Sequence, residues 1–259
     1  MSTFRSIVFS SVIAGFIVGL IVTVAQQFGT VPLILKAEVF EKAAEAHQHE
    51  APAAPQAAAA GHDHASHDQT THDHASHDHG AEAWEPRDGF ERNAYTAAAN
   101  VLTAIGFALL LAGFFAVRSG ATGARVSWHE GLMWGLAGFA VFTIAPGLGL
   151  APELPGVPAA PLVSRQIWWT AAALATAAGL GLIVFRRSVP AAIAGVILLI
   201  LPHLIGAPEL TQVETNVPSS LSHQFVTAVT MTSLVFWCLL GGVTSALFAR
   251  FDHGTDVRA

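Results

Sequence analysis

Nine of the thirteen histidines fall between positions 47 and 79, and the heptapeptide His-Asp-His-Ala-Ser-His-Asp occurs there twice, at 62–68 and at 72–78. Neutral imidazole is the commonest nitrogen ligand for zinc, nickel, copper and cobalt, and the adjoining carboxylates add oxygen ligands and negative charge. The candidate ligands are His47, His49, His62, His64, His67, His72, His74, His77 and His79. Segment 47–80 has too little apolar surface to order itself, and Ala and Pro fill most of 51–60, so it is expected to be disordered. A flexible chain of this kind can gather three or four imidazoles around one ion and hold it transiently. The competing readings are a solvating linker and a cloning tag; a tag would be an uninterrupted terminal run, whereas this tract is internal and patterned. Its chemistry does not choose the metal, because imidazole and carboxylate affinities follow the Irving–Williams order. The tract therefore reads as a scavenger or reservoir. Binding should weaken as pH falls through about 6.5, where imidazole protonates.

A sparser set of ionisable residues lies in or beside long apolar blocks: His129, Glu130, Glu153, His203, Glu209, Glu214 and His223. Such residues are costly within a bilayer and are functional candidates by default. His203 follows Pro202, where a broken helix could aim it at a cavity. Glu153 and Glu209 hold the same place in two Ala-Pro-Glu-Leu segments, 151–154 and 207–210, and His223-Gln224 opens the next block. Glu153, His203, Glu209 and His223 together would make an outer vestibule of mixed nitrogen and oxygen ligands. The bland alternatives are solvated loop acids and, for His203, an imidazole bonded to a freed carbonyl. Glu130 has an adequate explanation in the dipole of the helix it begins, and an exit-site role for His129 stays open. Gln26, Gln27, Asn93, Asn100 and Gln166 either line a path or stitch helices by hydrogen bonds. Cys238 is the only cysteine, which excludes an intrachain disulfide and a cysteine zinc site. No phosphate-binding glycine loop, metalloprotease helix or nucleophile elbow is present, so neither an enzyme nor an organic cofactor is expected.

The elements that must position these residues are apolar. Of 259 residues 53% are hydrophobic and 12% charged, with mean hydropathy +0.52; a soluble domain carries roughly 25% charged residues. Six charge-free blocks, at 7–25, 95–117, 131–150, 167–185, 189–205 and 225–248, approach the ~20 residues a helix needs to cross a bilayer. They are apolar all round, unlike the one-sided helices of a soluble bundle. The expectation is an all-α membrane protein of six transmembrane helices, in contact with the lipid bilayer. Its divisions would be a first helix to 26, an outer loop 27–93, a second helix and inner loop 94–127, helix hairpins 128–187 and 188–250, and a tail 251–259. A cleavable signal peptide is the rival for the first block, but that run exceeds the usual 7–15-residue apolar core (about that length).

Segment 27–93 carries twelve acids against four bases, a net −8, and the remainder is +2. No basic stripe marks a nucleic-acid partner. With six spans, one side displays Arg5, Arg118, Arg125, Arg186, Arg187, Arg250 and Arg258, while the short loops of the other hold only Arg165. The positive-inside rule then makes both termini cytoplasmic and turns the histidine tract outward. The odd blocks share an Ala-Gly signature, at 14–15, 137–138 and 194–195, and two of them carry a proline near the outer end, Pro146 and Pro202. These matches suggest a two-helix hairpin used three times in parallel, around an axis along the membrane normal.

The opening Phe4-Arg5-Ser6, the Ala14-Gly15 block, the histidine-rich first loop, the paired Ala-Pro-Glu-Leu segments and the overall size resemble the CbtA family of proposed cobalt-transporter subunits. The resemblance covers essentially the whole chain. It implies a component of cobalt uptake in a bacterial inner (cytoplasmic) membrane, linked to cobalamin supply. It further implies a very short single-span, histidine-bearing partner, CbtB. The cargo expected is a divalent transition-metal ion, Co2+ first, with Ni2+ or Zn2+ as alternatives. Two other readings compete: an exporter of nickel, cobalt or zinc, and a membrane-anchored metal-binding or sensing module that conducts nothing.

Overall fold

The computed structural model describes residues 2–49, 86–210 and 215–256, and among them every regular element is a helix. In chain order these are α1 (Ser2–Phe28), α2 (Val31–His49), α3 (Phe90–Thr122), α4 (Trp128–Phe139), a π-helical segment (Ala140–Ile144), the single turn α5 (Ala145–Gly147), α6 (Leu162–Arg186), α7 (Val189–Ile205) and α8 (Ser219–Asp256). Four are long and apolar enough to cross a membrane: Thr3–Phe28, Phe90–Thr122, Leu162–Arg186 and Ser219–Asp252. Helix α7 is apolar but shorter, with 17 residues. The chain is a multi-pass membrane protein. Large apolar side chains such as Leu102, Leu110, Val117, Leu174, Ile197 and Leu204 lie exposed along these helices, as contact with hydrocarbon requires.

Local signals account for several ends. Gly123 terminates α3 in the left-handed region, at φ 66°, and donates its N–H to Ser119 O. Ser127 caps α4 by accepting from the Glu130 N–H. The third apolar block is one helical rod over 128–147 that changes pitch midway. Pro146 cannot donate to the carbonyl four residues back, and just before it the Ala145 N–H reaches five residues back, to Ala140 O. Pro202 is treated differently. Helix α7 continues α-helical through it to Ile205, so the expected break at the fifth block does not occur: only one turn follows, closed by the Gly206 N–H donating to Pro202 O.

Helices approach closely where glycine removes the side chain. A Cβ on Gly15 would meet the Ile105 backbone at 2.5 Å, and one on Gly19 the Val101 Cα at 2.6 Å, which sets α1 along α3. Gly131 and Gly135 of α4 meet Gly241, Ser245 and the Trp237 carbonyl of α8. Gly179 of α6 and Gly195 of α7 face each other's carbonyl oxygens, each 2.7 Å from where a Cβ would stand. Small residues serve membrane helices in this way because dispersion contacts replace the hydrophobic drive of water.

This packing corrects the hairpin expectation. The first hairpin packs upon itself, α1 on α3, and the second only at one end, where the π segment and α5 meet α6; α4 lies along α8, and α6 along α7. The Ala-Gly signatures are therefore contact points whose partners differ: Gly15 meets Ile105, Gly138 the Trp237 ring, and Gly195 meets Gly179. Three equivalent hairpins do not describe the arrangement. The central core is Ala14, Val18 and Val22 of α1, Ala104 and Ala108 of α3, and Trp237 and Leu240 of α8.

Segment 27–93 is not a plain loop at its start. Gly29 and Thr30 bond back to Ala25 O and Gln26 O, the chain turns, and α2 runs from Val31 through His49. Leu33 and Ala37 are buried against Leu154, Val217, Leu221 and Phe225, and Glu38 pairs with Arg92 of α3. Helix α3 begins at Phe90, a turn before the expected 94, and α8 extends into the expected tail. His47 and His49 end α2, whereas His62, His64, His67, His72, His74, His77 and His79, and Glu214, lie outside the described residues.

Candidate functional site

The two Ala-Pro-Glu-Leu segments face one another. At the end of the bundle where α2 lies, a cleft of about 410 Å³ is lined by Ala151 to Leu154, by Pro208, Glu209 and Leu210, and by Ser222, His223 and Val226 of α8. The first segment leaves the rod just after Pro146. Leu148 and Leu150 bond back to Ile144 O and Pro146 O, and Gly149 is pressed against the Trp168 ring, so the chain leaves α5 against α6. The second segment follows α7 at Gly206, whose φ of +88° suits glycine. His223 lies one turn into α8, where its carbonyl accepts from Thr227 Oγ1 at 2.9 Å.

Three of the four expected vestibule residues therefore line one cleft, and their electrostatics differ. Glu153 Oε2 lies 3.0 Å from Arg165 Nη2 of α6, with both side chains about one-third exposed. Glu209 and His223 are exposed. His203 does not line the cleft. Its ring lies edge-on to Trp168, with centroids 5.7 Å apart, and the Trp168 indole N–H donates to Pro202 O at 3.2 Å. Among the described residues, no three His, Cys, Asp or Glu side chains stand close enough to hold a metal ion together. The cleft is a mouth with one neutralised and one unneutralised carboxylate and an accessible imidazole. It can attract and pass a cation more readily than cage one.

Arg165 enters the sequence reading only as a charge in the orientation count, although the four-residue gap between Pro161 and Arg165 spans one helical turn. Helix α2 was missed as well. It reaches the rim of the cleft: Gly156, whose φ of +75° favours glycine, packs closely between Glu41 and Val217, and its carbonyl accepts from Thr215 Oγ1 at 2.8 Å.

At the opposite end, Glu130 pairs with Arg118 of α3, so its charge is compensated as well as capped, and His129 lies exposed against the Trp128 ring. Four of the uncharged polar residues stitch α1 to α3. Asn100 Nδ2 donates to Thr23 Oγ1 at 3.0 Å and to Gln26 Oε1 at 2.7 Å, and Gln27 Nε2 donates to Asn93 Oδ1 at 3.1 Å.

The family model described as probable cobalt transporter subunit (CbtA) matches residues 4–249, nearly the whole chain. No curated protein and no solved structure matches.

Proposed function

The chain belongs to the CbtA family of probable cobalt transporter subunits, and from that membership we propose that it is the membrane subunit of a cobalt uptake system whose histidine tract captures the ion and whose cleft receives it. The observation that carries this reading is the meeting of both Ala-Pro-Glu-Leu segments and His223 around one cleft, with α2 packed at its rim and leading along the chain towards the tract.

In this reading all six apolar blocks cross the bilayer, the rod over 128–147 and α7 being the third and fifth. The arginine-rich side is cytoplasmic in a bacterial inner membrane. The −8 segment raises the local concentration of divalent cations, and loosely grouped imidazoles take and release them. Released ions enter the cleft, where Glu209 and His223 supply a hard oxygen and a borderline nitrogen ligand suited to Co2+, with Ni2+ and Zn2+ as competing cargo. Glu153 contributes only when Arg165 lets go. His203 acts through Trp168, as packing beneath the cleft. A small CbtB-like span is the proposed partner in the membrane.

Uptake of radioactive cobalt by cells expressing the chain tests the reading. Joint substitution of Glu209→Gln and His223→Ala should abolish saturable uptake. Deletion of 50–85 should raise the cobalt concentration needed for half-maximal rate while sparing the maximal rate. Unchanged uptake in both would refute it.

A further inference from the structure

We infer that a pocket between α1, α3 and α8, distinct from the cleft, binds a monovalent alkali cation, Na+ in the first place. The pocket holds about 150 Å³ and is lined by Gln26 of α1, Asn100 and Thr103 of α3, and Thr232 and Ser233 of α8, with Val22 and Phe236 as its apolar walls. Thr232 lies about 10 Å into the apolar block that begins at Phe225, at a rise of roughly 1.5 Å per residue, and Gln26 closes the block of α1, so the pocket opens near the end of the span where α2 lies.

Three features give the pocket its chemistry. First, the hydroxyls of the residues that line it are unspent. A hydroxyl in a membrane helix ordinarily bonds the carbonyl one turn back, and Thr23, Thr96, Thr227 and Thr230 do so. Among the described residues the hydroxyls of Thr103, Thr232 and Ser233 have no such partner. The lack is shared by Ser11, Thr176 and Thr244, which are sealed in packed interfaces and almost fully buried, and by Thr143 and Thr170, neither of which lines the pocket. Second, the Asn100 amide nitrogen is committed to Thr23 and Gln26, which leaves Asn100 Oδ1 as the free end of the amide.

Third, among the described residues no charged side chain lines the pocket. Neutral oxygens can replace the hydration shell of an alkali ion. A divalent ion gives up its water reluctantly and is held by carboxylates. An anion would need a basic group that the pocket lacks. At about 30 Å³ per water, the volume admits a sodium ion with a few waters. The apolar walls strengthen each ion–dipole contact by lowering the local dielectric.

The test is equilibrium binding of 22Na+ to the purified full chain in nanodiscs, with no cobalt present. That readout is independent of the proposed cargo: cobalt uptake can fail while sodium binds, and the reverse. Wild type should bind saturably. Thr232→Val with Ser233→Ala removes two ligands that make no other hydrogen bond, so the melting temperature in choline chloride should hold while sodium affinity falls at least about tenfold. Should that pair not fold, Thr103→Val carries the same expectation. Absence of saturable binding by wild type, as when a polar side chain of a neighbouring helix fills the pocket, overturns the inference. So does a folded variant with wild-type affinity.

Discussion

The two Ala-Pro-Glu-Leu segments have the same four residues and opposite fates. In the first, Leu154 is 3% exposed in a core shared with α2 and α8, and Glu153 is tied to Arg165. In the second, Leu210 is 36% exposed and Glu209 stands open at the mouth of the cleft. A motif's chemistry is thus assigned by what folds back on it. The first copy anchors the cleft wall, and the second is available to a ligand.

The contrast breaks most visibly at the leucines. Leu154→Ala should cost about 2–5 kcal/mol of stability and release α2, read as a lower midpoint of unfolding in denaturing detergent and new proteolysis within α2. Leu210→Ala should stay within about 0.5 kcal/mol; equal losses would erase the distinction. Next come the carboxylates. Glu209→Gln should lower the rate of cobalt uptake at limiting cobalt about tenfold or more, whereas Glu153→Gln should change it little, because its charge is already balanced. Arg165→Gln sharpens the point by freeing Glu153, and should tighten cobalt binding to the purified chain lacking 50–85 by several-fold, measured by calorimetry; weaker binding would mean that Arg165 supports the cleft without competing for it. A modest effect is expected at the rim, where Arg92→Ala removes the tie to Glu38 at about 1 kcal/mol or less, read in the same unfolding midpoint.

What the sequence made legible follows from the range of each signal. Continuous hydropathy is local, so the long apolar helices α1, α3, α6 and α8 could be placed, although their ends run up to eight residues beyond the apolar blocks. The pairing of Glu153 with Arg165 depends on residues 151–161 turning back towards the start of α6, which no local pattern states. Helix α2 escaped because Lys36, Glu38, Glu41 and Lys42 interrupt its apolar positions and a histidine tract follows it. Its burial comes from α8, some 185 residues later. The partners of the repeated Ala-Gly pairs were not legible, because such a pair announces a close approach without saying to which helix. His203 looked exposed to a cavity because proline was expected to break α7, yet the proline stands so near the helix end that little needed breaking. The cleft, by contrast, was legible in outline, since a repeated tetrapeptide and the histidine that opens the next helix come together around it.

The wide turn over Ala140–Ile144 holds one residue more than the α-turn it replaces. Each residue of an α-helix advances about 1.5 Å and turns about 100°. Migration of the bulge past a given residue would therefore swing that residue by about that angle, like a key in a lock. Phe142, now stacked on Trp237 at 7° between ring planes, would leave its seat, while the flanks of the rod, and the segment carrying Glu153 beyond them, kept their register. The winding of one helix thus decides where a core ring sits without disturbing the ends of that helix.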